Sequence, residues 1–121
     1  MDFQQTQPIF LQIVDWLCDQ IIAGDIAAGE QIPSVREIAA KTGVNPNTVQ
    51  RAVERMLMSG IIQSQRGKGN FLTNNARQQV LNERREKLYN TQLPKLATEI
   101  KLLGLPLDDI YQQLEQLIKK Q

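Results

Sequence analysis

The sequence predicts a mainly α-helical chain with one small β-hairpin, and three observations support this fold class. Apolar residues recur at three- and four-residue steps before residue 60 and again after residue 75, which is the period of a helix. Ser, Asn, Pro and Gly stand where those helices would begin and end. Between the two helical parts the period drops to two and glycines interrupt it, as in a short hairpin.

The first helix is expected to begin at Pro8, because a residue without a backbone N–H suits the first turn of a helix. Gly24 and Asp25 stop it, and a turn follows over residues 28–30. Its apolar stripe is wide, which indicates either deep burial or a second contact surface. The stripe consists of Ile9, Phe10, Ile13, Val14, Trp16, Leu17, Cys18, Ile21 and Ile22.

Two shorter helices follow. Ser34 suits the N-cap of the first, since Glu37 stands three residues later, at the spacing of a capping box. The chain then turns at Gly43, and Asn45 caps a second helix whose first position is Pro46. Two helices joined by about four residues that include Gly are the arrangement of a helix-turn-helix.

A hairpin is expected directly after these helices. Residues 61–64 and 70–73 are predicted to form its strands, and the glycines between them allow a tight turn. The tip carries Arg66 and Lys68, so it is cationic. A helix pair followed by a basic hairpin is the layout of a winged helix-turn-helix domain, which we assign to residues 1–73.

Residues 74–121 are predicted to form a short helical dimerisation segment. Pro94 should kink or divide its first helix near Thr91, and residues 104–106 separate that helix from the last one. The apolar stripes of the two helices have no third element to cover them, so a second copy of the chain is the natural partner. The residues expected at this interface are Leu96, Ile100, Leu103, Leu107, Ile110, Leu114 and Leu117.

The composition excludes several classes of protein. The 121 residues contain no run of about eighteen apolar residues, so no membrane span is expected. The N-terminus does not resemble a secretory signal, and the single cysteine, Cys18, suits the reducing cytoplasm. With no histidine and one cysteine, a structural zinc site, a Ser-His-Asp centre and a Cys-His centre are excluded. We therefore expect neither an enzyme nor a bound cofactor.

The net charge of +1 hides an uneven distribution. Residues 1–29 sum to −4, residues 30–70 to +3 and residues 71–121 to +2. In the basic middle segment, Arg36 and Lys41 could contact phosphates, whereas residues on the exposed face of the second short helix could reach base edges in the major groove. The candidate DNA-binding residues on these grounds are Arg36, Lys41, Asn47, Thr48, Gln50, Arg51, Arg55, Arg66 and Lys68.

Simpler interpretations of the same residues stand beside this one. Arg51 and Arg55 could decorate a solvated helix face next to Glu54, and Gly67 and Gly69 could serve the hairpin alone. A winged helix can also act as a protein-interaction module without specific DNA binding. Such a module would need neither a cationic hairpin tip nor the Asn-Pro-Asn-Thr string at the start of its exposed helix.

Four separated motifs resemble the DNA-binding domain of GntR-type bacterial transcription regulators. They are Ile32-Pro33-Ser34-Val35-Arg36-Glu37-Ile38-Ala39, Gly43-Val44-Asn45-Pro46-Asn47-Thr48-Val49, Gly60-Ile61-Ile62 and Arg66-Gly67-Lys68-Gly69-Asn70-Phe71-Leu72. The resemblance covers about residues 8 to 73, and the short C-terminal part is most similar to the YtrA subfamily. It implies a homodimer that binds a palindromic operator in double-stranded DNA. The DNA contacts that the resemblance implies are Arg36, Asn47, Thr48, Gln50 and Arg51 in the two helices and Gly67, Lys68 and Gly69 in the wing.

The sequence departs from the common family pattern at three positions. Pro46 and Gln50 stand where many members have Arg, and Asn70 replaces the usual Thr after the wing glycine. Operator sequences of other members should therefore not be transferred to this chain. The YtrA resemblance further implies a repressor of an ABC transporter operon. An unidentified small-molecule effector and control by concentration alone are both compatible with residues 74–121.

Overall fold

The structure, a computed structural model, describes residues 7–121 and confirms the mainly α-helical fold with one hairpin. No helix within these residues combines the length and the apolar character that crossing a membrane requires. The elements in chain order are α1 (Ile9–Ala23), α2 (Val35–Thr42), α3 (Pro46–Met58), β1 (Ile62–Gln65), β2 (Gly69–Leu72), α4 (Ala76–Lys87), a π-helical segment (Leu88–Gln92), α5 (Leu93–Leu103) and α6 (Leu107–Lys119).

The chain divides into two compact units, and the first ends at Asn82. This division lies nine residues beyond residue 73, the boundary predicted from the sequence. The physical reason is that the start of α4 belongs to the first unit. Ala76 and Val80 are buried in the same apolar cluster as α1 and α3.

The core of the first unit lies where α1 and α2 pack against α3. Among its fully buried side chains are Ile13, Leu17, Ile21, Ile38, Val49, Val53 and Met56. Cys18 is buried too, and Phe10, Val14, Trp16 and Ile22 pack against the cluster while partly exposed. Most of the wide apolar stripe of α1 is therefore buried in this core or packed against it, whereas Ile9 is exposed.

The hairpin pairs β1 with β2 in antiparallel register, from Ile62 opposite Leu72 to Gln65 opposite Gly69. β1 lies one residue later, and β2 one residue earlier, than the strands predicted from the sequence. The backbone N–H of Ile61 bonds to the carbonyl of Met56 at 3.2 Å, so this residue still belongs to the turn after α3. Because Gln65 and Gly69 pair, only three residues remain at the tip.

A further extended segment lies along the outer edge of β2, and the sequence did not reveal it. Gly29 and Ile32 donate backbone hydrogen bonds to the carbonyls of Leu72 and Asn70, both at 2.9 Å, and Leu72 donates to Glu30 at 2.8 Å. Residues 29–32 therefore satisfy backbone groups that an isolated two-stranded hairpin would leave open.

In the second unit, the break predicted near Thr91 takes the form of the π-helical segment. The N–H of Leu93 bonds to the carbonyl of Leu88, five residues back, and Pro94 has no N–H to offer the carbonyl of Asn90. Gly104 ends α5 in the left-handed conformation, with φ of +65°. No residue of α5 or α6 is buried.

Candidate nucleic-acid interface

Local capping fixes where α2 and α3 begin. The backbone N–H of Glu37 donates to Oγ of Ser34 at 3.1 Å, and the N–H of Ser34 donates to Oε1 of Glu37 at 3.1 Å. Both halves of the predicted capping box are thus present. At α3, the N–H of Asn47 donates to Oδ1 of Asn45 at 2.8 Å, with Pro46 in the first helical turn. These two caps fix the first residue of each helix.

The helix α3 has one buried and one exposed face. Val49, Ala52, Val53 and Met56 are buried, as the apolar stripe predicted. On the opposite side, the side chains at the N-terminal end of α3 are open to solvent: Asn47, Gln50 and Arg51 are exposed and Thr48 is half-buried. Amide and guanidinium groups of this kind can form bidentate hydrogen bonds with adenine and guanine.

Arg51 does not extend freely from α3. Its Cζ lies 4.3 Å from the centroid of the Phe10 ring, which comes from the first turn of α1. This distance is well within the range of a cation–π contact, about 6 Å. The neighbouring Gln50 differs, because its Nε2 lies 3.5 Å from Oε1 of Glu54 one turn later. The two exposed side chains are therefore held by different partners, a ring and a carboxylate.

The hairpin tip is cationic and built on glycine. The N–H of Lys68 bonds to the carbonyl of Gln65 at 2.9 Å, and Gly67 lies between them at φ of +76°. Arg66 and Lys68 are exposed. Side chains of this charge on a tight loop can follow a phosphate backbone or enter a minor groove.

The side chain of Gln31 supports this tip from the adjoining segment. Its Nε2 donates to the carbonyl of Lys68 at 2.6 Å. The next residue, Gly69, has φ of +116°, and a Cβ built on it would lie 2.5 Å from the same Nε2 atom. Gly69 thus has a structural role that does not depend on DNA, as the simpler interpretation of the glycines held.

The charged side chains of α2 lie in both its first and its last turn. Arg36 and Lys41 are exposed, in the first and the last turn of the helix. The pKa of Glu37 is lowered from its ordinary value of 4.5, first because the Ser34 backbone hydrogen bond favours the charged carboxylate and then because of the Ser34 side chain and the charge of Lys41. Glu37 is therefore ionised at neutral pH, and its carboxylate serves the helix terminus.

The first unit contains all of the predicted DNA-binding residues, on α2, α3 and the hairpin. All of them are exposed except Thr48, which is half-buried. Sequence reasoning missed two residues that hold this surface in place, Phe10 and Gln31. The helix period places Phe10 in the apolar stripe of α1, but it reveals neither contact, because each joins residues 37 or more positions apart along the chain.

The second unit exposes the residues predicted for dimerisation. Leu103, Leu107 and Leu117 are 59%, 71% and 54% exposed, and Ile100 and Ile110 are half-buried. Tyr111 and Ile118 extend the apolar face of α6, although the leucine pattern did not include them. Such a continuous exposed apolar face is uncommon on a monomer and typical of an interaction surface.

A protein-family model and several known proteins match this chain. The model of the family described as bacterial regulatory proteins, gntR family, matches residues 10–72. The uncharacterized HTH-type transcriptional regulator YhcF of Bacillus subtilis is 34% identical, over 93% of this chain and 92% of its own length. The HTH-type transcriptional repressor YtrA of the same organism is 28% identical, over 97% of this chain and 89% of its own length.

Solved structures agree with these relatives. A GntR family transcriptional regulator from Listeria monocytogenes matches with a TM-score of 0.76 and 32% identity, over 94% of this chain and 98% of that chain. The DNA-binding domain of AraR in complex with operator ORR3 matches with a TM-score of 0.54 and 23% identity, over 60% of this chain and 88% of that chain, which shows the fold alone. The matching family and relatives are transcriptional regulators with DNA-binding domains, not enzymes.

Proposed function

Because the chain belongs to the GntR family of bacterial regulatory proteins, we propose that it is a transcriptional repressor of the cytoplasm that binds a palindromic operator as a homodimer. The observation that carries the proposal is the exposed polar N-terminal end of α3, together with a cationic hairpin tip in the same compact unit. The polar side chains of α3 and the charged side chains at the hairpin tip lie outside the apolar core, so core packing does not account for them.

The proposed DNA contacts fall into two groups, those with base edges and those with the DNA backbone. Asn47, Thr48, Gln50 and Arg51 read base edges from α3, because amide and guanidinium groups match the donor and acceptor patterns of the major groove. Arg36 on α2 and the wing residues 66–69 contact the DNA backbone, which sets the position of the protein without specifying sequence. Arg51 carries most of the discrimination, because a bidentate Arg–guanine pair is among the strongest base contacts.

Binding to DNA is tested by comparing two duplexes of equal length and composition. The first is a palindrome selected from a random library by the purified full-length chain, and the second is its scrambled sequence. We expect the palindrome to bind at least about a thousandfold more tightly at physiological salt. Arg51→Ala should reduce this ratio, whereas the matched control Arg85→Ala, an exposed arginine of the second unit, should not. Equal affinity of the wild type for both duplexes would favour a protein-interaction module instead.

The homodimer is proposed to form through the apolar faces of α5 and α6. The supporting observation is that no residue of these helices is buried, so a unit of this composition gains its core only by pairing. Two protomers related by a twofold axis would present two α3 helices to half-sites about one helical turn apart. A pseudo-palindromic operator follows from that symmetry.

The dimer is tested by sedimentation equilibrium with two charge substitutions in α6. Leu114→Asp places a carboxylate on the apolar face and should weaken association by about 3 kcal/mol, roughly a hundredfold. Gln112→Asp adds the same charge at an exposed polar position and should leave the dimer intact. If both variants keep the wild-type mass, or if the wild type binds the palindrome as a monomer, the proposed interface is wrong.

The regulated genes are proposed to encode an ABC transporter. Support comes from the likeness to YtrA over 97% of the chain, together with the YtrA resemblance of the motifs in the first unit. The test is to delete the regulator's gene and to measure transcripts of all transporter operons. Increased transcription of one ABC transporter operon whose promoter contains the selected palindrome is expected. An unchanged set of transporter transcripts would contradict this assignment.

A further inference from the structure

The contact between Phe10 and Arg51 joins the first turn of α1 to the exposed face of α3. Phe10 is half-buried and packs against the apolar core, so its ring is fixed by the fold. Arg51 is exposed, and its Cζ lies 4.3 Å from the centroid of that ring. A rigid group thus meets a long flexible side chain that would otherwise sample many rotamers.

The chemical nature of its partner determines which interactions the Arg51 guanidinium can still form with DNA. Within residues 7–121, no carboxylate forms an ion pair with this guanidinium. A carboxylate would neutralise the charge and occupy the N–H donors that a base edge requires. The Phe10 ring contains no oxygen or nitrogen acceptor, so the donors and the positive charge remain available.

We propose that Phe10 is a positioning residue that orients Arg51 for sequence discrimination before DNA is bound. The inference rests on the proposed function, in which Arg51 reads a base pair. An arginine that is already oriented loses less rotamer freedom when it forms its bidentate pair, so the correct base gains more than an incorrect one. Phe10 therefore affects specificity although it lies on α1, outside the helix-turn-helix.

The size of the effect follows from the strength of the contact. A cation–π contact at an exposed site changes an equilibrium constant by about two- to fivefold. In the proposed dimer the contact occurs in both half-sites, so its loss should reduce discrimination by about five- to thirtyfold. This reduction in discrimination is large enough to measure. It is smaller than the complete loss of base-pair preference that we expect for Arg51→Ala.

The experiment uses the full-length chain and two duplexes. One is the selected palindrome, and the other differs in both half-sites at the base pair whose preference Arg51→Ala abolishes. Phe10→Leu and Phe10→Met both remove the ring but keep an apolar side chain. Either variant therefore tests the role of the ring, provided that it folds. Phe10→Tyr keeps the ring and is the conservative control. Urea unfolding monitored by Trp16 fluorescence establishes that each variant is folded under the binding conditions.

We expect Phe10→Leu or Phe10→Met to lower the affinity ratio of the two duplexes by about five- to thirtyfold, and Phe10→Tyr to preserve it. In an Arg51→Ala background, removal of the ring should leave the ratio unchanged. The inference is overturned if the ring variants keep the wild-type ratio, if they weaken binding to the same extent without Arg51, or if they bind more tightly because the ring had held Arg51 away from DNA. Failure of the proposed function itself would appear in the wild type, as equal affinity for palindromic and scrambled duplexes.

Discussion

A single methyl group at Gly69 tests the geometry of the hairpin tip. The φ of Gly69 is +116°, and an added Cβ would lie 2.5 Å from Nε2 of Gln31. The same amide donates to the carbonyl of Lys68 at 2.6 Å. Gly69→Ala therefore imposes a backbone conformation that L residues rarely adopt, and it displaces Gln31 from its hydrogen bond.

Gly69→Ala lowers the free energy of unfolding through two separate costs. The backbone strain costs about 1–3 kcal/mol and the lost hydrogen bond about 0.5–1.5 kcal/mol. We expect Gly69→Ala to lower the free energy of unfolding of the first unit by about 2–4 kcal/mol. Gly67→Ala is the matched control, because its φ is +76° and no heavy atom lies within 4 Å of the added Cβ. It should cost about 1–2 kcal/mol.

The assay is urea denaturation monitored by the fluorescence of Trp16. This residue is the only tryptophan of the chain and packs against the core of the first unit. In a Gln31→Ala background, the cost of Gly69→Ala should fall by about 0.5–1.5 kcal/mol, because the hydrogen bond is already absent. Equal stabilities of the Gly67→Ala and Gly69→Ala variants, or a cost that Gln31→Ala does not change, would refute the proposed role of Gln31.

Three further perturbations test the caps and the phosphate contacts. Ser34→Ala removes the N-cap acceptor of α2 and should lower the free energy of unfolding by about 1 kcal/mol in urea, whereas Ser64→Ala, on an exposed strand position, should not. Because the pKa of Glu37 is lowered in the folded state, its ionised form stabilises the fold above pH 4.5, and this contribution is lost as the pH falls through the lower folded pKa. Glu37→Gln should therefore weaken the dependence of stability on pH below 4.5, and an unchanged pH profile would contradict the role of the cap. Arg36→Ala should weaken binding to all DNA sequences alike and reduce the slope of log affinity against log salt by about one unit, as measured by fluorescence anisotropy; an unaltered slope would mean that Arg36 contacts no phosphate.

Those parts of the fold that depend on nearby residues could be predicted from the sequence. A capping box requires only Ser34 and Glu37 at a spacing of three, and both of its hydrogen bonds are present. The buried face of α3 follows from a period of 3.6 residues within one helix. The hairpin was placed within one residue, because its glycines mark the turn locally.

The parts that could not be predicted depend on residues far apart along the chain. Residues 29–32 have the composition of a turn, and only the unpaired edge of β2 makes them an extended segment. Gln31 and Lys68 are separated by 37 positions, and the ring of Phe10 meets Arg51 across two packed helices. Val80 joins the core because its helix follows the hairpin directly, which no apolar period within α4 indicates.

The near-neutral charge determines which of these features matter most for binding DNA. Each phosphate that is neutralised contributes about 0.9 units to the salt slope, so four cations in each protomer, namely Arg36, Lys41, Arg66 and Lys68, limit the proposed dimer to a slope of about −7. The remaining charge of the chain brings little further attraction, since the total is only +1. Attraction to phosphates carries no sequence information, so this regulator cannot use it to offset a misplaced reading side chain. Its discrimination then depends on side chains that are in place before DNA arrives. In this structure, the Ser34 cap, the Phe10 ring and the Gln31 amide position the helices, Arg51 and the hairpin tip in advance.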